Sequence, residues 1–127
     1  MSKRTAATQK LYDEARKDGT TILRKDSNGN CYFDWEKEVA IQEWNNWVLL
    51  SNRFPYDKIF LQHDILLPKK RVAFIRQMSK DVLDEYFLVK KEIDEEQNYN
   101  SIVENFSTSR SVKQHFHAHL VVWKGAI

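Results

Sequence analysis

Apolar residues recur at helical spacing through residues 5–18, at Ala7, Leu11, Tyr12 and Ala15. Gly19 follows, which predicts a short amphipathic helix with a glycine stop. The run Thr21-Ile22-Leu23-Arg24-Lys25, then Asp26-Ser27-Asn28-Gly29-Asn30, then Cys31-Tyr32-Phe33, predicts a hairpin about an Asn-Gly turn. Asp34 is placed to cap a short helix carrying Val39, Ile41 and Trp44. Residues 47–51 and 59–67 are rich in β-formers and flank the turn residues Asn52, Pro55 and Asp57, so strand, loop and strand follow, with Pro68 ending the second. Ser79 with Lys80 and Asp81 opens a long helix, whose predicted apolar face is Val82, Tyr86, Phe87, Val89 and Ile93, running to about Glu96. Residues 101–106 and 114–123 read as two further strands joined by the polar loop Ser107-Thr108-Ser109-Arg110-Ser111.

Composition narrows the class. With 127 residues there is room for one domain, and 42% hydrophobic and 13% aromatic residues against 3 Gly and 2 Pro supply enough apolar bulk to fold it. Twenty basic against 18 acidic residues leave +2, too little for long-range steering along a duplex, so a nucleic-acid partner is not expected. The lone Cys31 cannot form an internal disulfide or a four-thiolate metal site, which suits a reducing compartment. With no apolar run of membrane-spanning length and no apolar leader core, the sequence reads as a soluble, unprocessed, cytoplasmic protein with no membrane partner.

The candidate chemistry is concentrated in histidine. Of four histidines, three occur in His115-Phe116-His117-Ala118-His119-Leu120-Val121. Strand periodicity puts His115, His117 and His119 on one face and Phe116, Ala118 and Leu120 on the other, with same-face neighbours about 6.6–7 Å apart. A row of titratable rings does nothing for core stability. Two chemistries use such a row: direct attack of a neutral imidazole on phosphorus, or His-x-His ligation of zinc with a third ligand from elsewhere.

The alternation of histidine and apolar residues at 115–121 resembles the signature of the histidine triad superfamily at every position. Upstream, His63-Asp64-Ile65-Leu66-Leu67-Pro68-Lys69-Lys70 is similar to that superfamily's His-x-x-x-x-Pro-Lys-Lys segment. The order of strand, strand, long helix, strand, loop and triad strand also agrees. The resemblance covers residues 44–123. Residues 1–43 form an unmatched N-terminal extension of the single domain, 1–127.

The resemblance implies an α+β fold: an antiparallel sheet packed by the long helix, with the N-terminal helix and hairpin added at one edge. It implies a nucleotide hydrolase or nucleotidyl transferase acting at the α-phosphate of a nucleoside phosphate conjugate, without cofactor or metal. His117 would be the nucleophile, His119 a donor to the leaving group or a non-bridging oxygen, His115 the residue orienting the nucleophile, and His63 a support from the adjacent strand. Asn52 would hold the ribose hydroxyls and Asn105 a phosphate oxygen. Arg110, Ser111 and Gln114 would complete a phosphate cradle, although Arg110-Ser111-Val112-Lys113-Gln114 carries one residue more than the usual spacing. Asn52-Arg53-Phe54-Pro55 is also similar to the galactose-1-phosphate uridylyltransferase branch, which keeps transfer open beside hydrolysis. The expected partner is a small nucleotide, and a homodimer is allowed. A non-catalytic nucleotide-binding module, or a zinc-binding protein using the same face, remains the alternative.

Overall fold

A computed structural model describes residues 3–106 and 115–125. Helix α1 (Ala6–Asp18) starts where the Thr5 hydroxyl accepts from the Thr8 N–H and stops at Gly19, whose φ of 66° is the left-handed conformation that glycine adopts without a Cβ penalty. The hairpin strands β1 (Arg24–Lys25) and β2 (Cys31–Tyr32) form a separate two-stranded sheet. The main sheet is antiparallel and comprises β3 (Ala40–Glu43), β4 (Trp47–Ser51), β5 (Phe60–Pro68), β6 (Ser101–Glu104) and β7 (Ala118–Trp123) in the order β3-β4-β5-β7-β6. Helix α2 (Lys80–Glu96), capped by Ser79, crosses between β5 and β6. This α+β arrangement is the one expected. Among the described residues no helix is long and apolar enough to cross a membrane.

Alternation along β4 divides the core. Trp47 and Leu49 face α2, meeting Leu66, Phe116, Ala118 and Leu120 together with Tyr86, Val89 and Ile93 of the helix. Trp47 stacks on Tyr86 with centroids 4.4 Å apart and donates from Nε1 to the Val82 carbonyl at 2.8 Å, so its one polar atom is satisfied inside the core. Val48 and Leu50 point the other way with Leu67, under Ile22, Phe33, Trp35 and Ile65.

The structure departs from the sequence reading in four places. Asp34 caps only the short 3₁₀ turn Trp35–Lys37, and β3 occupies the residues expected to be helical. Val39 and Ile41 are mostly exposed, so no apolar helical stripe exists to be buried, whereas pairing with β4 satisfies the backbone and suits β-branched side chains. Phe87 is 62% exposed because the buried stripe of α2 runs Tyr86, Val89, Ile93, one helical step of about 100° away from it. The N-terminal helix and hairpin do not extend a sheet edge. β3 already takes that edge, and Ile22, Phe33 and Trp35 instead cover the sheet face turned away from α2.

The triad segment is the fourth. The β5–β7 ladder ends at the Leu66–Ala118 pair, so His115, Phe116 and His117 precede the strand. Continued pairing would oppose Phe116 to Pro68, which has no N–H to give, and Phe116 N–H donates to the Val72 carbonyl instead, at 2.6 Å.

The register of β5 is directly testable, because Leu66 is fully buried while Leu61, on the same strand, is 70% exposed. Leu66→Ala should cost roughly 2–5 kcal/mol in urea unfolding, and Leu61→Ala should leave the midpoint nearly unchanged. Equal losses would refute the register.

Candidate active site

Antiparallel pairing of β5 with β7 places Ile65 opposite His119 and His63 opposite Val121, on the sheet face turned away from α2. His63 and His119 are thus diagonal neighbours, close enough for ring contact. Their rings meet with His63 Nε2 2.7 Å from His119 Nδ1. His117 and His119 lie edge to face with centroids 5.0 Å apart. All four histidines are buried, none more than 4% exposed.

The partners of each ring fix where its proton sits. The Tyr56 backbone N–H, which can only donate, lies 2.9 Å from His63 Nδ1, and the Asn52 amide nitrogen lies 3.3 Å from the same atom. Nδ1 of His63 is therefore an acceptor, and its Nε2–H donates to His119 Nδ1. His119 in turn carries its proton on Nε2, which is buried and has no hydrogen-bond partner among the described residues. His117 is the opposite tautomer. Its Nδ1 lies 3.1 Å from the His115 carbonyl, which can only accept, so Nδ1 bears the proton and Nε2 the lone pair. A lone pair and an N–H donor therefore occupy adjacent rings, which is the complementary pair an attack on phosphorus needs.

His115 stands behind these rings. It is fully buried, donates from Nε2 to the Pro68 carbonyl at 3.1 Å, and packs on Phe33 at 4.5 Å between centroids. Its backbone oxygen, rather than its ring, holds His117.

Burial, reinforced by the charges of Arg4, His117 and Lys3, lowers His63 to about 4. Burial lowers His119 to about 3, reinforced by repulsion from His117 and His63 when those rings take a proton and by the charges of Lys3 and Arg4. Both rings are neutral near pH 7, as the tautomer chain requires.

Asn52 sits at the end of β4, where its Oδ1 accepts from the Phe54 N–H at 2.9 Å. That Asx turn aims the amide nitrogen at His63. Asn52 lines a cavity of about 50 Å³ together with His117, His119, Arg4, Tyr12 and Tyr56. Asn105 follows β6, half-buried, one residue past the Glu104–Ala118 pair, and is not part of that lining. Arg110, Ser111 and Gln114 lie outside the described residues. A larger cavity, about 300 Å³, lies by α2 and β6, lined by Lys90, Tyr99 and Leu120 among others, and holds no histidine. No group of three His, Cys, Asp or Glu side chains among the described residues is arranged to hold a metal ion.

Sequence reasoning did not find Arg4, Tyr12, Thr21, Ile22, Phe54 and Tyr56, all part of the cavity wall. The first four belong to the extension without a recognisable motif. Tyr56 acts on His63 through its backbone N–H, a contact no side-chain pattern records.

No family model and no curated protein matches the sequence. Among solved structures, the chain is similar to a histidine triad protein from Clostridium difficile, with a TM-score of 0.52 and 16% identity over 71% of this chain and 82% of that one. It is also similar to a HIT family hydrolase from Legionella pneumophila, with a TM-score of 0.49 and 22% identity over 71% and 83%. The chain has the histidine triad fold.

The depressed histidines carry a stability signature. Their folded values lie below the ordinary 6.5, so the unfolded chain binds protons first as pH falls. Stability should be fully present above about pH 6.5 and decline toward about pH 4.5, before most carboxylates titrate. Urea midpoints across that window should fall for the native chain and fall less for His63→Gln. A flat native profile would contradict burial of neutral imidazoles.

Proposed function

We propose that the chain is a nucleotide hydrolase or nucleotidyl transferase that acts at the α-phosphate of a nucleoside phosphate conjugate, of the dinucleoside polyphosphate or nucleoside phosphoramidate type. The observation that carries this reading is the contact set of two adjacent rings: His117 Nδ1 lies on the His115 carbonyl, which puts the lone pair on Nε2, and His119 Nδ1 lies on His63 Nε2, which puts its proton on an Nε2 that has no partner among the described residues. His117 Nε2 attacks phosphorus, the N–P bond forms as the bond to the leaving group breaks, and the nucleotidyl group rests on the ring. The ring gains positive charge in this step, and the His115 carbonyl on Nδ1–H stabilises it where it develops. His119 Nε2–H donates to a non-bridging oxygen of the reacting phosphate or to the leaving atom, and the His63–Tyr56 chain holds it in that tautomer. Water, or another acceptor, then attacks phosphorus and releases His117. Asn105, Ser111 and Gln114 are assigned to the phosphate oxygens by the sequence resemblance, and Arg110 by the chemistry of its polar loop.

Under the zinc alternative the purified protein carries near-stoichiometric metal and loses structure on chelation. Under the binding-module alternative it holds nucleotide and never turns it over.

His117→Asn should abolish turnover with little change in unfolding midpoint. Acid-sensitive label from a quenched reaction should map to the peptide containing His117. Label on Ser111, or near-normal activity in the variant, would refute the assigned nucleophile.

Asn52 gives a second test, because it already has a turn-capping bond and also lines the cavity. If it holds the ribose, Asn52→Ala and a 2′-deoxy substrate should each weaken binding by roughly 0.5–1.5 kcal/mol, and the two losses should not add. Lower thermal stability with an unchanged ribo-to-deoxy preference would restrict Asn52 to the turn.

A further inference from the structure

The segment ahead of α1 brings an arginine to the histidine face. Arg4 lies with its guanidinium carbon 4.0 Å from the Tyr12 ring centroid and 4.7 Å from that of Tyr56, and its Nε donates to the Phe54 carbonyl at 2.8 Å. Two ring faces and one backbone bond hold the fork in place while keeping its charge, as guanidinium stacking allows.

The segment is itself tied down. Lys58 N–H donates to the Lys3 carbonyl at 3.0 Å, and Asp57 accepts from Thr5 N–H at 2.7 Å and from the hydroxyls of Thr5 and Thr8 at 3.0 and 2.6 Å. Those bonds hold the Asp57 carboxyl below its ordinary range, that from Thr8 contributing most. Arg4 is thereby fixed at the wall of the cavity that His117 and His119 also line.

The cavity's size limits what belongs there. About 50 Å³ is far below the roughly 300 Å³ at which drug-sized ligands begin to be enclosed. What fits between Arg4 and the two histidines is a small group that accepts hydrogen bonds. The buried Nε2–H of His119, without a partner among the described residues, asks for an acceptor, and the Arg4 guanidinium brings positive charge to the same cavity wall. A phosphate group suits both, with the nucleoside lying beyond the mouth.

We infer that Arg4, supplied by the N-terminal extension, binds the substrate phosphate at the histidine face and makes recognition depend on that anion. The inference rests on the nucleotide reading of this site. It gives the extension a part in substrate selection that the histidine-bearing strands do not supply.

The test compares the full chain with Arg4→Gln and Arg4→Lys, titrated with ribonucleoside 5′-monophosphates, the corresponding nucleosides and inorganic phosphate. Arg4→Gln should weaken monophosphate binding ten-fold or more and remove inorganic phosphate binding, with nucleoside affinity unchanged. Arg4→Lys should recover only part, since an ammonium restores charge without the fork. Unfolding midpoints identify any variant that fails to fold, and a misfolded Arg4→Gln leaves Arg4→Lys to carry the same comparison. Equal losses for monophosphate and nucleoside would make Arg4 a structural bolt between Tyr12 and Tyr56 and overturn the inference, as would a native chain that binds neither monophosphate nor phosphate. A His117 adduct that forms with unchanged monophosphate affinity in Arg4→Gln overturns the Arg4 assignment alone. Arg4-dependent phosphate binding with no adduct on His117 supports the Arg4 site and defeats the proposed reaction.

Discussion

The hydrogen bond from His63 Nε2 to His119 Nδ1 exists because β5 and β7 pair in one register, Ile65 with His119 and His63 with Val121. A slip of one residue would turn one ring into the α2 core and the other away from it, because strand side chains alternate with period two. The register is held by what lies on the far side of the sheet. Leu66, Ala118 and Leu120 fit against Trp47 and Tyr86, so core packing on one face sets the imidazole geometry on the other. Pro68 then ends the ladder, freeing His117 from strand pairing so that its Nδ1 meets the His115 carbonyl. His117 and His119 thus depend on the same strand pair but in different ways, His119 on its register and His117 on its end.

Much of this was legible in the sequence because the relevant patterns are local. Period-two alternation identified which side chains at 115–120 share a face, and it held even where the backbone leaves the strand at His115–His117. Gly19 and Ser79 marked helix ends through chemistry that acts within one turn. Legibility failed where tertiary context decides. Nothing local separates Ile41 in a solvent-facing edge strand, with Val39 just ahead of it, from the same residues in a helix, since the partner is β4. Phe87 reads as core by hydrophobicity, and only the position of the sheet excludes it. The tautomer of His63 was not legible at all. It is set by the backbone N–H of Tyr56, seven residues upstream across a loop.

The N-terminal extension shows how a face carrying polar chemistry can still be closed. Ile22, Phe33 and Trp35 cover Val48, Leu50 and Leu67, which would otherwise leave an apolar patch. Beside them, polar clasps fix position rather than add burial. Glu38, with its side chain 5% exposed, receives Arg24 at 2.9 Å and Arg53 at 3.0 Å, and Arg53 also donates to the Thr20 carbonyl. Such a buried carboxylate contributes little net stability once desolvation is charged against it, but removing either arginine would leave it short of a partner. The clasp therefore specifies where the hairpin sits against the loop carrying Asn52 and Phe54.

Four buried imidazoles are a poor way to stabilise a sheet. Each needs hydrogen-bond partners inside the protein, and three of these are backbone groups at fixed places, Tyr56 N–H, Pro68 O and His115 O, while His63 and His119 also bond to each other. Burial and neighbouring positive charge both push His63 and His119 away from protonation, so these rings act near neutrality as polar dipoles whose direction the backbone sets. An apolar replacement of this face would remove both the desolvation cost and an Nε2–H that has no partner among the described residues. The histidine face instead gathers His119 Nε2–H, without a partner among the described residues, with His117 and Arg4 around one small cavity. The fold itself holds these groups in place through the Tyr56, His115 and His63 contacts, so no further ordering of the rings is needed to keep their direction.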